Sequence, residues 1–374
     1  MKTSPHRNTS AIVDLKAIRN NIEKFKKHIH PNAEIWPAVK ADAYGHGSVE
    51  VSKAVSDLVG GFCVSNLDEA IELRNHLVTK PILVLSGIVP EDVDIAAALN
   101  ISLTAPSLEW LKLVVQEEAE LSDLKIHIGV DSGMGRIGIR DVEEANQMIE
   151  LADKYAINFE GIFTHFATAD MADDTKFKDQ QARFNKIMAG LSRKPKFVPS
   201  PNAAAALWHK EQVQAIERLG ISMYGLNPSG KTLELPFEIE PALSLVSELT
   251  HIKKIAAGET VGYGATYETS EETWIGTVPI GYADGWTRQM QGFKVLVNGE
   301  FCEIVGRVCM DQMMIKLDKS YPLGTKVTLT GRDKTNEITT TDVADWRGTI
   351  NYEVLCLLSD RICLLYTSDA ADEL

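Results

Sequence analysis

Short apolar runs alternate with longer helical stretches through the first two thirds of the chain, and this alternation constrains the fold most. Eight such runs lie between residues 35 and 225: IWPAVKA, GGFCVSN, PILVLSG, ISLTA, KIHIGVDS, FEGIFTHF, KFVPS and RLGISMYG. The stretches between them, such as VEEANQMIELADKY and TKFKDQQARFNKIMAGL, place apolar residues three or four apart, as an amphipathic helix does. A helix of the same kind, DLKAIRNNIEKFKKHI, precedes the first run. Eight strand–helix units in one unbroken series predict a (β/α)8 barrel of the TIM type.

The pattern changes after about Leu235, where apolar and polar residues alternate with period two. ALSLVSELTHIKKI, TWIGTVPIGYADG and FKVLVNGEFCEIVGRVCMDQMMIKL are examples, and Asn298-Gly299 is a strong signal for a hairpin turn. We therefore predict a barrel domain over residues 10–232 and a mainly β domain over residues 233–362. The opening strand SAIVDL could belong to either domain. The last segment, 363–374, matches the translation of a common sequencing adapter and is set aside as an artificial tail.

Composition narrows the class of protein. A chain of 374 residues with 44% apolar and 24% charged residues has room for two ordinary globular cores. A net charge of −14, without any lysine- or arginine-rich block, argues against a nucleic-acid partner. No apolar run is long enough to span a membrane, and MKTSPHRNTSAIVDL contains no apolar signal core, so we expect a cytoplasmic protein. The five cysteines lack CxxC spacing, so we expect neither a metal site nor a disulfide framework.

Polar residues stand where the predicted barrel strands end. Taken alone, Lys40 is an ordinary strand-end lysine whose ammonium reaches water, but the following ADAYGHG adds polar tips and two glycines that allow a ligand to approach closely. In barrels of this type the chemistry lies at the carboxyl ends of the strands, and phosphate binds after strands seven and eight. We therefore expect a set of residues from distant parts of the chain to lie together at the carboxyl ends of the barrel strands. The set consists of Lys40 at strand one, Asp131 and Arg136 after strand five, His165 at strand six, Asn202 after strand seven, and Arg218, Gly220 and Ile221 in strand eight.

GMGRIG, residues 133–138, satisfies the G-x-G-x-x-G pattern of dinucleotide-binding proteins. In that motif the third glycine lies inside the helix that follows the strand. Here IRD separates Gly138 from the helical run that begins near Val142, and the segment is the fifth unit of a series. Both features argue against nicotinamide or flavin binding.

Eight blocks, in order along residues 10–362, together resemble the alanine racemase family of pyridoxal-phosphate enzymes. The blocks are AVKADAYGHG, VDSGMGRIG, FTHFATAD, ERLGISMYGL, GYGATY, IGYADG, VGRVCMDQMM and INYEVLC. The resemblance implies a racemase that interconverts L-alanine and D-alanine, supplying D-alanine for peptidoglycan.

The resemblance also assigns the cofactor-binding residues. It implies that Lys40 forms the Schiff base with pyridoxal phosphate, a reaction suited to an amine in a partly desolvated mouth. Arg218 matches the arginine that faces the pyridine nitrogen, and His165 matches the residue that links this arginine to the catalytic tyrosine. The remaining residues implied to hold the cofactor are Tyr44, Asn202, Gly220, Ile221 and Tyr352.

Racemisation requires a base on each face of a planar carbanion. The resemblance implies that Lys40 serves the D face and that Tyr263, contributed by the partner subunit of a homodimer, serves the L face. The residues implied to contact substrate are Arg136, near its carboxylate, Met310 and Asp311, from the partner, and Tyr282, which narrows the entrance to alanine-sized side chains.

Two positions depart from the family pattern. Ala203 stands where the family usually has a serine that contacts the phosphate, and Ser200 is near but not at that position. Gly129 stands where many members carry a carbamylated lysine, so Arg136 needs another partner. Three alternatives stay open: a racemase acting on serine or several amino acids, a decarboxylase of the same two-domain class, and a non-catalytic pyridoxal-phosphate carrier, which would resemble the barrel alone.

Overall fold

The structure is a computed structural model, and it describes residues 3–117, 120–209 and 215–368. The chain divides into two compact units, Ile18–Glu240 and the combination of Met1–Ala17 with Pro241–Leu374. Within the described ranges, no helix has the length and apolar character needed to cross a membrane. The chain opens with β1 (Thr9–Asp14) and α1 (Leu15–His28). On the apolar face of α1, Ile18, Ile22 and Phe25 are buried and Leu15 is half-buried.

Parallel strands form the first unit. β3 to β7 are neighbours in chain order in a five-stranded sheet, and β2 pairs with β8. Isolated parallel bridges join Ala38 to Cys63, Gly161 to Phe197 and Pro199 to Ile216. The strands are β2 (Glu34–Ile35), β3 (Phe62–Val64), β4 (Ile82–Val84), β5 (Ser102–Ala105), β6 (Lys125–Val130), β7 (Asn158–Thr164) and β8 (Ile216–Glu217). The bridges supply the seventh position and close the ring, so the predicted (β/α)8 barrel is confirmed.

The eighth strand is shorter and earlier than predicted. RLGISMYG was expected to be the strand, but β8 ends at Glu217, and Ile221–Tyr224 form a turn of 3₁₀-helix. Nearly every residue of RLGISMYG is buried, and a fully buried run has no periodicity that separates strand from helix. Arg218 therefore follows the last strand, and Gly220 and Ile221 stand at the start of the 3₁₀ turn.

Helices cover the outside of the strands, and four of those that the structure describes begin at side-chain caps. In each, a side-chain oxygen accepts a hydrogen bond from the backbone N–H three residues later, which satisfies a donor that the helix leaves unpaired. The capping residues are Asn66, Ser107, Asp141 and Asn202. The predicted helices at 142–155 and 175–191 are confirmed. The helices are α2 (Lys40–Gly45), α3 (Ser48–Val55), α4 (Leu67–Asn75), α5 (Val93–Ala98), α6 (Leu108–Val114), α7 (Val142–Lys154), α8 (Thr175–Ala189) and α9 (Ala203–Trp208).

The glycines of GMGRIG form a loop that returns to β6 before α7 begins. Ile139 exchanges backbone hydrogen bonds with Gly129 and Asp131, at 2.9 Å each. A Cβ at Gly138 would lie 2.7 Å from backbone atoms of this strand, whereas one at Gly135 would meet nothing within 4 Å. Gly138 thus permits a close approach of two backbones, which accounts for the glycine without a bound nucleotide.

The second unit is mainly β, as predicted. Its large sheet has the order β15-β14-β17-β9-β1-β19, and a second sheet has the order β10-β13-β16. Asn298 and Gly299 have φ of 51° and 85° between β14 and β15, so the predicted hairpin is confirmed. The elements are β9 (Leu243–Glu248), β10 (His251–Ile255), β11 (Thr260–Val261), β12 (Tyr267–Glu268), β13 (Thr273–Val278), β14 (Lys294–Val297), β15 (Glu300–Glu303), β16 (Met313–Leu317), β17 (Lys326–Asp333), β18 (Asn336–Ile338), α10 (Thr340–Arg347), α11 (Asn351–Cys356) and β19 (Cys363–Thr367).

The segment set aside as a tail begins with a strand. β19 (Cys363–Thr367) pairs in parallel with β1, which itself pairs with β9, so the opening strand lies in the sheet of the second unit. Residues 369–374 lie outside the described residues.

Candidate active site

Lys40 begins a helical turn rather than ending a strand. β2 stops at Ile35, and the chain reaches Lys40 through the bridge at Ala38. The prediction that a continuous strand ends on Lys40 is therefore wrong. Lys40 nonetheless lies directly beyond the first barrel strand position, where it is half-buried.

The turn that begins at Lys40 is left-handed. Ala41, Asp42, Ala43 and Tyr44 have φ of 51° to 55° and ψ of 38° to 50°. Residues other than glycine enter this region singly, at a cost of roughly 1–2 kcal/mol each. Four in succession carry a cost of about 4–8 kcal/mol, so the surrounding structure must hold the turn in place.

Hydrogen bonds inside the turn supply part of that support. Ser48 N–H donates to Asp42 Oδ1 at 2.7 Å. His46 is fully buried, and its Nδ1 lies 3.0 Å from the Ala43 carbonyl oxygen and 3.1 Å from that of Tyr44. Burial lowers the pKa of His46 to about 4, so the ring is neutral at pH 7 and Nδ1–H can donate to these carbonyls.

The same turn sets Tyr44 beside the end of the eighth strand. The Tyr44 ring packs against Tyr224, with centroids 5.2 Å apart. A Cβ built at Gly220 would lie 3.4 Å from the Tyr44 hydroxyl oxygen. Tyr44 and Gly220 are therefore neighbours, and a Cβ at Gly220 would be in ordinary van der Waals contact with the Tyr44 hydroxyl.

Gly220 and Ile221 begin the 3₁₀ turn Ile221–Tyr224. The first N–H groups of a helical turn have no partner inside that turn, so they are suited to an anionic group such as a phosphate. Gly220 and Ile221 therefore lie at the start of a 3₁₀ turn and not in the predicted strand. Their N–H groups can still donate to a phosphate, so that contact stays a prediction.

Arg218 carries a buried guanidinium that backbone carbonyls solvate. Its Nε donates to the Ser200 carbonyl at 2.6 Å, and its Nη2 donates to the carbonyls of Thr164, at 2.7 Å, and Pro201. The guanidinium also lies over the Phe163 ring, 4.7 Å from its centroid. Burial lowers the pKa of Arg218 to about 10, so the group remains charged at pH 7. Nη1 is not among these donors and can donate to a ligand.

His165 follows β7 directly and lies within the field of three cations. Burial, followed by the charges of Arg218, Arg136 and Lys40, lowers the pKa of His165 to about 3. Its imidazole is therefore neutral at pH 7. The positive charge of each of these three residues, which come from distant parts of the chain, disfavours a protonated His165.

Asp131 and Arg136 follow β6, as predicted, but they are not partners in the described contacts. The Asp131 carboxylate binds Arg140 at 2.7 Å and accepts the N–H groups of Gly133 and Gly135. Arg136 is exposed. A Cβ at Gly129 would lie 3.3 Å from Thr104 Cγ2, so a long side chain at this position would require its neighbours to move.

Asn202 caps α9. Its Oδ1 accepts the N–H of Ala205 at 3.0 Å, and its Nδ2 donates to the Phe166 carbonyl at 3.0 Å. These contacts give it a structural role, and its contact with a cofactor stays a prediction. Ala203, the first residue of α9, is buried. The nearby Ser200 hydroxyl oxygen accepts a hydrogen bond from the backbone N–H of Arg218, at 2.9 Å.

Tyr263 lies in the second unit, on a short 3₁₀ turn, and its side chain is 69% exposed. Gly262 and Gly264, on either side, have φ of 80° and 75°, values that glycine adopts without strain. The turn therefore leaves the Tyr263 side chain exposed, and its role as a base stays a prediction.

Two turns of the second unit carry the predicted substrate residues and bind each other. The N–H groups of Tyr282 and Ala283 donate to the carbonyls of Cys309 and Met310, at 3.1 and 3.0 Å. The side chains of Tyr282 and Met310 are 42% and 54% exposed. Tyr352, in α11, is half-buried.

A charged network that the sequence analysis missed supports these turns. Asp284 is fully buried and accepts both Arg7 Nη groups, at 2.7 and 2.9 Å. Arg361 lies 3.3 Å from Asp284 and 2.7 Å from Asp311, so it joins the Tyr282 turn to the Met310–Asp311 turn. Asp284 stands inside the block IGYADG and could have been singled out there, whereas Arg361 has no such signal.

A cavity of about 420 Å³ opens elsewhere, beside the start of β7, and its lining includes Arg193, Lys194 and Lys196. None of the predicted site residues lines it. It lies at the amino end of the strand, opposite the end at which barrel enzymes place their chemistry.

The residues at the carboxyl ends of the strands fit pyridoxal phosphate. Lys40 offers an amine for its aldehyde, Arg218 offers a guanidinium for its ring nitrogen, and the start of the 3₁₀ turn offers N–H groups for its phosphate. The Tyr44 hydroxyl lies near Gly220, at the start of that turn, so it is close enough to contribute to the same phosphate site.

Known proteins are similar to this chain throughout its length. Residues 13–228 match the family model described as alanine racemase, N-terminal domain, and residues 242–366 match the model described as alanine racemase, C-terminal domain. The alanine racemase of Lactococcus lactis subsp. lactis (strain IL1403) is 98% identical over 366 residues, which is 98% of this chain and 100% of that relative.

Solved structures of racemases are also similar to this chain in fold. The alanine racemase from E. faecalis has a TM-score of 0.96 at 46% identity, covering 98% of this chain and 100% of its own. A histidine racemase from Leuconostoc mesenteroides subsp. sake NBRC 102480 has a TM-score of 0.92 at 31% identity, with the same coverage. The chain therefore belongs to the alanine racemase family, and the isomerase class and pyridoxal-phosphate cofactor predicted from its sequence are confirmed.

Proposed function

We propose that this chain interconverts L-alanine and D-alanine with two bases, Lys40 and Tyr263, on opposite faces of the substrate. Bound pyridoxal phosphate supplies an electron-accepting ring that acidifies the substrate Cα–H. The Lys40 amine takes and returns the proton on the D face, and the Tyr263 hydroxyl does so on the L face.

The charge states of Arg218 and His165 are the main support for the proposal. Arg218 keeps its charge at pH 7, and its described hydrogen bonds go to carbonyl oxygens. A guanidinium can donate to the ring nitrogen but does not give up its proton to it. Arg218 facing the ring nitrogen would therefore leave bound pyridoxal phosphate a weaker electron acceptor than a carboxylate partner would, which would favour simple proton return over side reactions. His165, neutral beside these cations, adds no charge to the site, and we propose that it links Arg218 to the catalytic tyrosine, as the family resemblance implies.

The site is proposed to be complete only in a homodimer, because Tyr263 and Met310 are exposed on the second unit. Arg136, Asp311 and Tyr282 are proposed to contact the substrate, and Tyr44, Asn202, Gly220, Ile221 and Tyr352 to hold the cofactor. The cytoplasmic location and the supply of D-alanine for peptidoglycan stay predictions.

Incubation with L-alanine and pyridoxal phosphate, followed by chiral analysis, tests the reaction. D-alanine should accumulate until the two enantiomers are equal, and Lys40→Ala should form none. Serine and histidine belong in the same assay, since a structural neighbour is a histidine racemase. Faster conversion of either than of alanine would contradict the proposed substrate, and an active Lys40→Ala would contradict the proposed base.

A further inference from the structure

The left-handed turn after Lys40 needs an anchor outside itself. Within the turn, the Ala43 N–H donates to the Val39 carbonyl at 2.9 Å, and the hydrogen bonds to Asp42 Oδ1 and to the Ala43 and Tyr44 carbonyls come from Ser48 and His46. The first peptide N–H beyond Lys40, that of Ala41, instead donates to a side chain from another element. That acceptor is Glu69 Oε1, at 2.8 Å.

Glu69 ties this turn to the next barrel strand. Its other oxygen, Oε2, accepts the N–H of Ser65 at 2.6 Å, and Ser65 directly follows β3 (Phe62–Val64). One carboxylate therefore holds the backbone beside Lys40 against the carboxyl end of the second barrel strand. Both acceptors are charged oxygens, so the two hydrogen bonds are stronger than neutral ones.

Glu69 is itself held firmly. It is the third residue of α4, and its N–H donates to the Asn66 side chain at 2.9 Å. α4 buries Leu67, Ala70 and Leu73. The pattern N-x-x-E usually marks a capping box, in which the glutamate folds back onto its own helix start. Here the carboxylate reaches past that position to Ser65 and Ala41.

We propose that Glu69 is a positioning residue that fixes the backbone of Lys40 so that its amine meets the cofactor aldehyde. This inference rests on the proposed function, in which Lys40 condenses with pyridoxal phosphate. In that step the neutral amine adds to the aldehyde carbon, and one water leaves as the C=N bond forms. The amine can add only from a fixed distance and angle, so a loosened turn disfavours the covalent bond and not the contacts to the phosphate.

The isosteric variant Glu69→Gln separates these two contributions. A glutamine offers one acceptor oxygen, and its amide hydrogens face the other N–H, so only one of the two hydrogen bonds survives. Pyridoxal phosphate and pyridoxamine phosphate are then compared by equilibrium titration of the apoprotein. Pyridoxamine phosphate carries an amine in place of the aldehyde and cannot condense with Lys40, so its affinity reports on the rest of the pocket.

We expect Glu69→Gln to raise the dissociation constant of pyridoxal phosphate about tenfold while changing that of pyridoxamine phosphate less than about twofold. Asp68→Asn is the matched control, because it removes an exposed carboxylate from the same helical turn. It should change neither constant. If Glu69→Gln does not fold, Glu69→Asp, which keeps the charge but is too short to span both donors, replaces it in the same comparison.

Equal weakening of both ligands, or no change in either, overturns the role of Glu69. Borohydride reduction of the wild-type holoenzyme and peptide mass analysis provide a separate check. A label on Lys40 keeps the proposed function in place whatever the Glu69 variants do. A label elsewhere removes the assignment of Lys40, and the inference about Glu69 with it.

Discussion

Arg218 illustrates how much chemistry a single residue type decides. Carbonyl dipoles from Thr164, Ser200 and Pro201 solvate its charge, so the guanidinium stays buried without a carboxylate in those contacts. A lysine would place one compact ammonium where the planar fork makes several directed bonds, and the two are not interchangeable here.

The proposed second base leads to a directional prediction. Tyr263→Phe removes one hydroxyl and should lower racemisation on the order of 10² to 10⁴ in rate, while the cofactor remains on Lys40. Exchange of the D-alanine α-hydrogen in deuterated water, on the Lys40 face, should survive better than exchange of the L-alanine α-hydrogen. NMR of each enantiomer measures both rates, and an equal loss for both would contradict the assignment of faces.

Individual residues could be predicted from sequence where a block fixes their place after a strand. His165 and Asp131 follow their strands as expected. Glu69 and Arg361 were missed because an acidic residue in a first helical turn, or a lone arginine near a chain end, is ordinary in any protein. Their importance arises from partners distant in the chain, and no local pattern encodes that.

At the scale of elements, handedness is the clearest limit of sequence reasoning. Alanine and tyrosine disfavour positive φ, so nothing in ADAY indicates a left-handed turn. The left-handed turn forms because tertiary contacts outweigh that preference. By contrast, the helices 142–154 and 175–189 follow their apolar periodicity, since each buries one face and little else decides their shape.

Because His46 is buried beside this turn, we expect the free energy of unfolding to depend on pH. The folded pKa of His46 is lowered from 6.5 to about 4, so between these values the unfolded chain binds a proton that the folded chain does not. Its stabilising contribution is complete above pH 6.5 and is lost as the pH falls towards 4. Between pH 7 and pH 5 the loss is about 2 kcal/mol.

His46→Asn tests this dependence, because the amide can donate in place of Nδ1 but does not titrate. Urea unfolding of wild type and variant at pH 7 and pH 5 gives four free energies of unfolding. The variant should lose about 2 kcal/mol less between the two pH values. Contributions from His165 and the carboxylates occur in both proteins and cancel, so parallel losses would rule out His46 as a source.

α9 provides a prediction about the cofactor. Ala203 opens this helix, and the Ser200 hydroxyl oxygen accepts the backbone N–H of Arg218, which leaves the Ser200 O–H able to donate elsewhere. Ala203→Ser should tighten pyridoxal phosphate by roughly 1.5–3 kcal/mol, the worth of one hydrogen bond to a charged group. Titration of the apoprotein measures this, with Ala204→Ser as a control that should give no gain. An unchanged constant for Ala203→Ser would mean that another group already fills the role.

The whole molecule was predicted well at the level of architecture, because the two periodicities along the chain differ so clearly. What the periodicity could not provide was the closure of the barrel. The seventh position consists of bridges at Phe197 and Pro199, where proline lacks the N–H that a regular ladder needs. The exact length of such a strand depends on its neighbours and not on its own sequence.

The proposed homodimer has a testable consequence at this scale. Lys40→Ala and Tyr263→Phe subunits should each be inactive alone. In a mixed dimer, one site would carry both lesions and the other neither. Random mixing of equal amounts should therefore restore about a quarter of wild-type activity. If mass spectrometry demonstrates mixed dimers and activity stays absent, Tyr263 does not act across the interface.

The loop GMGRIG has a consequence for how this chain can vary. The glycines of this loop differ in how strongly the surrounding backbone prevents their replacement by a larger residue. A Cβ at Gly138 would lie 2.7 Å from three backbone atoms, and one at Gly135 would meet open space. At Gly135, φ is 75°, a value that asparagine tolerates. In a randomised library selected for a folded barrel, Gly138 should stay invariant while Gly135 drifts. A motif search that weights the glycines equally would then lose true relatives at Gly135 and keep unrelated nucleotide-binding loops.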